Sequence, residues 1–284
     1  MERIDPLDIC AGRGSAAFSA APGGAPEMHR RPLDPRLDGL VTDIVDYREH
    51  GRALRLSPEM APLIVPLVIS FAEPFEIALG RAPGRGDRYW SFTSGLYPGF
   101  VLINSAGGAE CVQIDFTPPG AFRFFGLPMS EIAGRMVTLD ELGDSGIAEL
   151  RRRLADAPTW RHRLDIAETF VLDRLLVSEP GDPAVEWAFG AILARRGHMR
   201  VGDLAHRLGW SRKHLNARFR NEIGIGPKAV ARMMRFNRAL ALARRGGGWA
   251  DIAAECGYAD QAHLVREFRE FAGRPPTSLL AGRP

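Results

Sequence analysis

The hydrophobic pattern of this chain changes its period near residue 128. Before that point, short apolar runs rich in β-branched and aromatic residues are separated by Gly and Pro, which is typical of strands. These runs occupy 63–71, 88–92, 99–103 and 111–116. After it, apolar positions recur every three or four residues, which is the helical period. The pattern therefore predicts a β-rich region followed by helices, an α+β chain.

One helical segment carries a continuous apolar stripe. In residues 160–177, the side chains of Leu164, Ala167, Val171 and Leu175 share one face of the predicted helix. Such a stripe must be buried. The sequence leaves two partners open for it, the β-rich region of the same chain or a second copy of the chain.

The order of the segments divides the chain into three parts. The first residues are rich in Ala, Gly, Ser and Pro without a sustained apolar run. We therefore expect a disordered leader over 1–32 and no signal peptide, with Met28 as an alternative start. Turn residues at 178–185 precede one more helix, which ends at a boundary. We predict an N-terminal β-rich domain over 33–196 and a C-terminal domain over 197–284.

Composition excludes several classes of protein. No run approaches the roughly 18 apolar residues of a membrane-spanning helix, so we expect no membrane partner. The three cysteines, Cys10, Cys111 and Cys256, form no C-x-x-C pair, and the seven histidines lack metal-ligand spacing. We therefore expect a reducing, cytoplasmic compartment, no metal site and no cofactor.

Charge is distributed unevenly between the two ends of the chain. Residues 198–284 contain 16 Lys and Arg against 7 Asp and Glu, a net charge of +9. Residues 1–197 contain 21 against 27, a net charge of −6. This asymmetry suggests a polyanion partner for the C-terminal part, although a solvated basic surface explains the charge as well until a motif is found.

A motif does occur twice in the last 90 residues, about 49 residues apart. Each copy has an Ala, then a Gly four residues later, an aromatic residue and a helix-capping residue. From the cap, Leu, Phe, Gly and Pro follow at the same distances in both copies. The first copy contains Ala205, Gly209, Trp210, Ser211, Leu215, Phe219, Gly224 and Pro227. The second contains Ala253, Gly257, Tyr258, Asp260, Leu264, Phe268, Gly273 and Pro276.

The motif has the construction of a helix-turn-helix unit. The Gly permits a tight turn after a short helix, and the cap starts a second helix whose Leu and Phe fasten it to the first. The opposite face of the second helix stays free to enter the DNA major groove. Between the copies, residues 227–245 predict a helix of roughly 28 Å, close to the roughly 34 Å between successive major grooves.

This arrangement resembles the DNA-binding domain of the AraC-type family of bacterial transcription regulators. The resemblance runs from about Met199 to Leu280 and includes both units, the linking helix and the closing stretch GYADQAHLVREFREFAGRPP. It implies an all-α C-terminal domain with two helix-turn-helix units joined by a long helix. It also implies that the protein is a sequence-specific DNA-binding transcription regulator and not an enzyme.

Eight residues are predicted to read DNA. Helical geometry places Lys213, Ala217 and Arg220 opposite the Leu/Phe anchor of the first unit, and Ala262 and Arg266 opposite that of the second. Asn216, Gln261 and His263 flank these faces. The resemblance assigns base reading to Lys213, Asn216, Ala217, Gln261, Ala262, His263 and Arg266. Relatives commonly have Arg where this chain has Ala217, so which unit dominates sequence specificity is open.

Other basic side chains of the C-terminal part have two interpretations. We assign Arg212, Arg218, Arg232 and Arg235 either to phosphate contacts, which position a protein without specifying sequence, or to solvent. Cys256 occupies a helix core position, and we assign it to packing.

The N-terminal domain is expected to sense a small-molecule effector, to form homodimers, or both, because that is the usual plan of the family. We predict a barrel-like sheet followed by helices. The aromatic residues Tyr89, Trp90, Phe92 and Phe100 either line an effector pocket or belong to the core. The domain lacks the paired His motif of metal-binding cupins.

Three classes of function remain to be compared. The first is the regulator, whose partners would be double-stranded DNA, RNA polymerase if it activates, an effector and a second copy of the chain. It would be cytoplasmic and nucleoid-associated. The second is an architectural DNA-binding protein without effector control, which the two different reading faces disfavour. The third is a DNA-directed enzyme with a catalytic N-terminal domain, for which Cys111 has no nearby His in the sequence.

Overall fold

Two antiparallel sheets and a set of helices make up the chain in a computed structural model that describes residues 26–51, 54–60 and 62–280. The strands are β1 (Glu27–His29), β2 (Val41–Arg48), β3 (Leu54–Met60), β4 (Val65–Ser70), β5 (Phe75–Leu79), β6 (Arg88–Tyr89), β7 (Ser91–Ser94), β8 (Phe100–Ser105), β9 (Glu110–Phe116) and β10 (Met136–Thr138). The first sheet has the order β1-β2-β9-β4-β7-β10, and the second has the order β3-β8-β5-β6. All strand pairings are antiparallel.

The four predicted apolar runs coincide with β4, with β6 and β7, with β8, and with β9. The central strand β9 is buried at every position after Glu110, which explains its weak alternation. The expected barrel-like sheet is not a closed barrel. In the described part of the chain it is two separate sheets, and an apolar cluster that includes Tyr47, Phe75 and Phe92 lies between them.

Eleven helices follow the sheets within the described residues. They are α1 (Pro118–Phe125), α2 (Leu139–Leu142), α3 (Ser145–Asp156), α4 (Trp160–Val177), α5 (Pro183–Ala194), α6 (Val201–Arg207), α7 (Arg212–Ile223), α8 (Pro227–Arg244), α9 (Trp249–Glu255), α10 (Gln261–Ala272) and α11 (Pro276–Leu280). Helices α1 and α4 lie against the first sheet.

The apolar stripe of α4 is buried inside the chain. Leu164, Ala167, Val171 and Leu175 are at most 3% exposed, and α4 packs on β2, β9, α1 and α3. The interpretation that the stripe covers the chain's own sheet is confirmed, and the stripe is therefore not available to a second copy.

Helix α1 begins with Pro118, Pro119 and Gly120, residues that are common in turns. Proline lacks a backbone donor that the first helical turn does not need, and Thr117 caps the helix by accepting from the Gly120 amide at 3.1 Å. A Cβ at Gly120 would lie 1.9 Å from the Leu40 carbonyl oxygen. The glycine therefore allows α1 to approach the sheet closely.

Helix α5 packs on the C-terminal helices α7 and α8. Its Phe189 ring lies 6.4 Å from the ring of Phe219 in α7. The predicted boundary after residue 196 therefore separates α5 from the helices that it contacts.

The predicted leader is only partly described. Residues 1–25 of it, which include Cys10, lie outside the described residues. Residues 27–29 form β1 and pair with β2, so the predicted end of the leader at residue 32 is corrected by the sheet pairing. Met28 packs against the cluster between the sheets. Within the described residues, no helix has the length and apolar character needed to cross a membrane.

Candidate nucleic-acid interface

The first helix-turn-helix unit consists of α6, a tight turn and α7. Gly209 adopts a φ of +66°, and the Trp210 amide after it donates to the Ala205 carbonyl at 2.9 Å. Ser211 caps α7, because its side chain accepts from the His214 amide at 3.1 Å. An N-cap of this kind stabilises a helix by about 1 kcal/mol.

The second unit, α9 to α10, repeats these bonds. Gly257 has a φ of +70°, and the Tyr258 amide donates to the Ala253 carbonyl at 2.9 Å. Asp260 caps α10 by accepting from the His263 amide at 2.7 Å. The two copies of the sequence motif therefore have the same local structure, as predicted.

The anchors of both second helices are buried. Leu215 and Phe219 of α7 and Leu264 and Phe268 of α10 have no exposed surface. Because these side chains fix one face of each helix against its unit, the opposite face must point away from the protein core.

Seven of the eight predicted reading side chains are exposed: Lys213, Asn216, Ala217, Arg220, Gln261, Ala262 and Arg266. The cations Lys213, Arg220 and Arg266 form no ion pair with any described residue, and Arg212 at the start of α7 is exposed as well. His263 differs, because only 35% of its side chain is exposed.

The linking helix α8 joins the two units through an aromatic cluster. It has 18 residues and a length of about 27 Å at about 1.5 Å per residue. The Phe236 ring of α8 lies 4.9 Å from Phe268 and 5.1 Å from Phe271, both in α10. These contacts fix α10 relative to the linking helix.

Residues 204–282 match a family described as a helix-turn-helix domain. A curated relative, the uncharacterized HTH-type transcriptional regulator YbfI of Bacillus subtilis (strain 168), is 33% identical over 67 residues. The C-terminal region is an AraC-type helix-turn-helix domain. The alignment with this relative covers 24% of the present chain and 24% of the relative's length.

The solved structures with similarity to this chain include two at low sequence identity. The C-terminal domain of AraT, a response regulator from Geobacillus stearothermophilus, is 22% identical with a TM-score of 0.34, over 36% of this chain and 87% of that one. Unsaturated fatty acid bound ToxT from Vibrio cholerae is 11% identical with a TM-score of 0.44, over 88% of this chain and 96% of that one.

Three arginines of the AraC-type domain that we assigned to phosphate or solvent form ion pairs with carboxylates of the same chain. Arg218 lies 2.9 Å from Asp182, Arg232 lies 2.7 Å from Glu267, and Arg235 lies 3.7 Å from Glu267. Arg218 stays at the surface, whereas Arg232 and Arg235 are partly buried, because the folded chain brings them to Glu267, which is distant in the sequence.

Glu267 is the centre of a buried polar cluster between α8 and α10. Its side chain is 4% exposed and contacts Arg232, Arg235 and, at 3.8 Å, Nε2 of His263. The hydrogen bonds that Arg232 donates to the carboxylates of Glu270 and Glu267 raise the pKa of its guanidinium despite burial. The cluster therefore connects α10 to the linking helix α8 by ion pairs, in addition to the aromatic packing between the two helices.

His263 is held inside the second unit. Its ring meets the ring of Tyr258 edge-on at 5.3 Å and approaches Glu267. In the first unit, His214 meets Trp210 in the same way at 4.6 Å. Both histidines lie three residues after the cap and pack on the aromatic residue of the turn. This common spacing was present in the sequence and could have identified them as parts of the motif.

Cys256 lies at the end of α9 and is buried. Burial raises the pKa of its thiol to about 11. The thiol therefore stays protonated near neutral pH and packs as a small apolar group.

A cavity in the N-terminal domain lies between the two sheets. It has an empty volume of about 690 Å³, part of which is open to solvent. The first sheet contributes side chains from β4, β7, β9 and β10, and the second contributes side chains from β5 and β8.

Of the four aromatic residues predicted for an effector pocket, Phe92 lines this cavity. Tyr89 packs edge-on against Phe92 at 5.9 Å, outside the lining. Trp90 is 50% exposed. Phe100 lies against Gly273 of the C-terminal domain, so closely that a Cβ added at Gly273 would be 2.7 Å from the Phe100 ring. The structure therefore separates residues that the sequence pattern grouped.

The C-terminal ends of α7 and α10 contact the N-terminal domain. Helix α7 packs on α1 and on the short 3-10 helix Met129–Glu131, and α10 packs on β3 and β8. Gly273, which ends α10 with a φ of +69°, lies against Phe100 of β8. The same strand presents Val101 and Ile103 to the cavity. Strand β8 therefore lines the cavity and also contacts α10.

Proposed function

We propose that this protein is a sequence-specific transcription regulator that reads two adjacent segments of the DNA major groove with α7 and α10. The observation that carries the proposal is the exposed face of each helix, opposite a buried Leu/Phe anchor, in two copies joined by one helix. Helix-turn-helix proteins place the equivalent helix in the major groove. The net charge of +9 in residues 198–284 favours binding to DNA phosphates.

Each reading helix would use different chemistry. In α7, Lys213, Asn216 and Arg220 offer hydrogen bonds, and Ala217 offers apolar contact to a thymine methyl group. In α10, Arg266 suits guanine and Gln261 suits adenine, because both base edges accept bidentate pairing. Ala262 lies between them on the helix surface, and His263 supports these side chains by packing on Tyr258.

A comparison of specific and non-specific DNA separates this function from architectural binding. Full-length protein would be titrated, by fluorescence anisotropy at physiological salt, onto a duplex with its selected motif and onto a shuffled duplex. A specific regulator binds the first roughly a thousandfold or more tightly. Equal affinities with a steep salt dependence would indicate architectural binding and overturn the proposal.

An enzymatic N-terminal domain is not favoured. Cys111 is completely buried, and burial together with the carboxylates of Asp46, Glu49 and Glu110 raises the pKa of its thiol well above the ordinary value. A nucleophilic cysteine needs the opposite environment, with an accessible and stabilised thiolate. The relatives reported for the chain are regulators.

We further propose that a small-molecule effector controls DNA binding through the cavity between the sheets. The support for this is the shared strand: β8 has Val101 in the cavity lining and Phe100 against the end of α10. An occupant that shifts β8 would therefore change the support of the second reading helix. RNA polymerase is the expected partner if the protein activates.

Dimerisation is a second route of control. The stripe of α4 is used internally, so a dimer would need another surface. Leu176 and Val177, at the end of α4, are 64% and 84% exposed. Sedimentation velocity of the full chain with and without Val177→Asp tests this surface, and an unchanged monomer in both samples would exclude it. The proposed DNA partner would place the protein at the bacterial nucleoid in the cytoplasm.

A further inference from the structure

The cavity between the two sheets is lined mainly by apolar side chains. Val68 of β4 and Met136 of β10 lie on one side, and Ile77 of β5 and Ile103 of β8 lie on the other. The Tyr97 side chain also lines it, and Gly80 and Gly99 leave room for that side chain, since a Cβ at either position would lie within 2.5 Å of one of its atoms.

None of the fifteen described lining residues carries a formal charge. Their polar side chains are Ser94, Tyr97 and Gln113. The Gln113 amide donates to Asp115 at 2.8 Å and is directed to the protein itself. A ligand carboxylate, sulfonate or ammonium group would lose its hydration here without a counter-charge among these residues, at a cost of several kcal/mol.

The lining of the cavity is suited to a small organic molecule. Sites for such ligands are predominantly apolar, with a small number of polar groups that fix orientation. The lining meets this description, since twelve of its fifteen described residues have no polar side-chain group. Ser94 offers one hydroxyl at the border between β7 and the cavity.

We propose that this cavity binds an uncharged, largely apolar small molecule and selects against charged analogues of the same shape. The inference rests on the proposed effector control and names the chemical class of the effector. Apolar burial supplies the affinity, and the missing counter-charge supplies the selectivity. The Phe75 and Phe92 rings, 6.4 Å apart and nearly perpendicular, form an aromatic wall for a planar ligand.

Two probes of one scaffold test the class of ligand. Phenylnaphthylamine is uncharged and fluoresces in apolar surroundings, and anilinonaphthalene sulfonate is the same scaffold with a sulfonate. The full chain should bind the uncharged probe at least roughly tenfold more tightly, since each tenfold corresponds to about 1.4 kcal/mol. Equal affinity, or tighter binding of the sulfonate, would overturn the proposal.

Substitutions locate the binding. Val101 lines the cavity from β8 and is half-buried. Val101→Trp should therefore fill part of the cavity and lower the affinity for the uncharged probe by roughly tenfold or more. Val101→Lys should reverse the preference toward the sulfonate, because it supplies the missing cation. Ala148→Trp is the matched control at an exposed position on α3 and should leave binding unchanged.

The outcomes separate this inference from the proposed function. If neither Val101 variant changes probe binding, the probe binds elsewhere and the assignment of the cavity is wrong. Ser94→Phe, at another wall of the cavity, repeats the test if Val101→Trp does not fold. DNA affinity of the same variants without probe is a separate measurement. Loss of probe selectivity with intact specific DNA binding would refute the ligand class and leave the DNA-reading function standing.

Discussion

Arg266 is exposed on α10 and has no acidic partner among the described residues. We expect Arg266→Ala to lose about 1–3 kcal/mol of binding free energy at one base position and little at the others, since a bidentate contact reads a single base. The measurement is fluorescence anisotropy on a set of duplexes that differ by single base pairs.

Arg152→Ala provides the control for charge. Arg152 lies on α3 and pairs with Glu149 and Asp156 in the N-terminal domain. The Arg152→Ala variant removes one positive charge, as Arg266→Ala does, but it should leave DNA affinity unchanged. Uniform weakening of all duplexes by Arg266→Ala would reassign Arg266 to a phosphate contact.

His263 and Gln261 separate internal packing from base reading. The His263 ring packs on Tyr258 and approaches Glu267, whereas Gln261 is exposed. We expect His263→Ala to lower the free energy of unfolding and to weaken all DNA sequences alike. Gln261→Ala should keep stability and change the preference at one base pair. A single-base effect of His263→Ala, with unchanged urea unfolding, would contradict this assignment.

At this scale the sequence predicted well which faces of α7 and α10 are exposed. A cap, a Leu and a Phe at fixed spacing define which side of a helix is buried, and helical geometry then gives the rest. It could not predict that Arg232 and Arg235 turn inward, because their partner Glu267 lies more than 30 residues away and only the folded chain brings them together.

Between elements, the Glu267 cluster holds α10 on the linking helix. Removing one partner of a buried ion pair leaves the other charge uncompensated, at a cost of about 3–5 kcal/mol. Glu267→Gln should therefore lower the free energy of unfolding by on the order of 3 kcal/mol in urea titrations. It should also weaken recognition of the segment read by α10 more than that read by α7.

Glu270→Gln is the matched control for this prediction. Glu270 pairs with the same Arg232 but is 51% exposed. An exposed pair contributes less than about 1 kcal/mol, so its loss should have a small effect. Equal destabilisation by the two variants would show that burial of Glu267 is not what makes the cluster important.

The strands show why part of the sheet escaped prediction. Strand β2 contains Asp43, Asp46 and Arg48 and therefore lacks an apolar run. Asp46 is nevertheless buried, because Arg163 of α4 lies 3.3 Å from it, 117 residues later in the chain. In the sequence, a strand that contains a buried charge has the same polar pattern as a loop when the partner of that charge is distant. Strand β4, which contains no charged side chain, was predicted.

For the whole molecule, the contact between Phe100 and Gly273 connects the two domains. Gly273→Ala should lower the free energy of unfolding for two reasons. An Ala at positive φ costs about 1 kcal/mol, and overlap of its Cβ with the Phe100 ring costs about 1–3 kcal/mol more. Gly126→Ala, at a helix end with a φ of +64° and no neighbour within 4 Å, should show only the first effect. Urea unfolding of both variants measures the difference.

A double variant assigns that difference to the domain contact. In a Phe100→Ala background, Gly273→Ala and Gly126→Ala should have similar costs, because the ring that Gly273 approaches is gone. If Gly273→Ala remains the more destabilising change, the domains are not in contact at this point, and β8 would not transmit a change in the cavity to α10.

The domain arrangement itself was beyond the sequence. The two-part division followed from the change of period and the charge asymmetry, and the repeat located both units. The separate sheets, the packing of α5 with the C-terminal helices and the grouping of the cavity residues depend on pairings between distant segments. Phe92 and Phe100 illustrate this, because neighbouring aromatics on β7 and β8 end in different environments.

Reading of two DNA segments by α7 and α10 of one chain can be tested by selection of bound duplexes from a random pool, with the full-length protein at physiological salt. We expect an asymmetric motif of roughly 15 to 20 base pairs with two read segments about one helical turn apart. Binding without any recovered motif, or a motif with a single read segment, would contradict it.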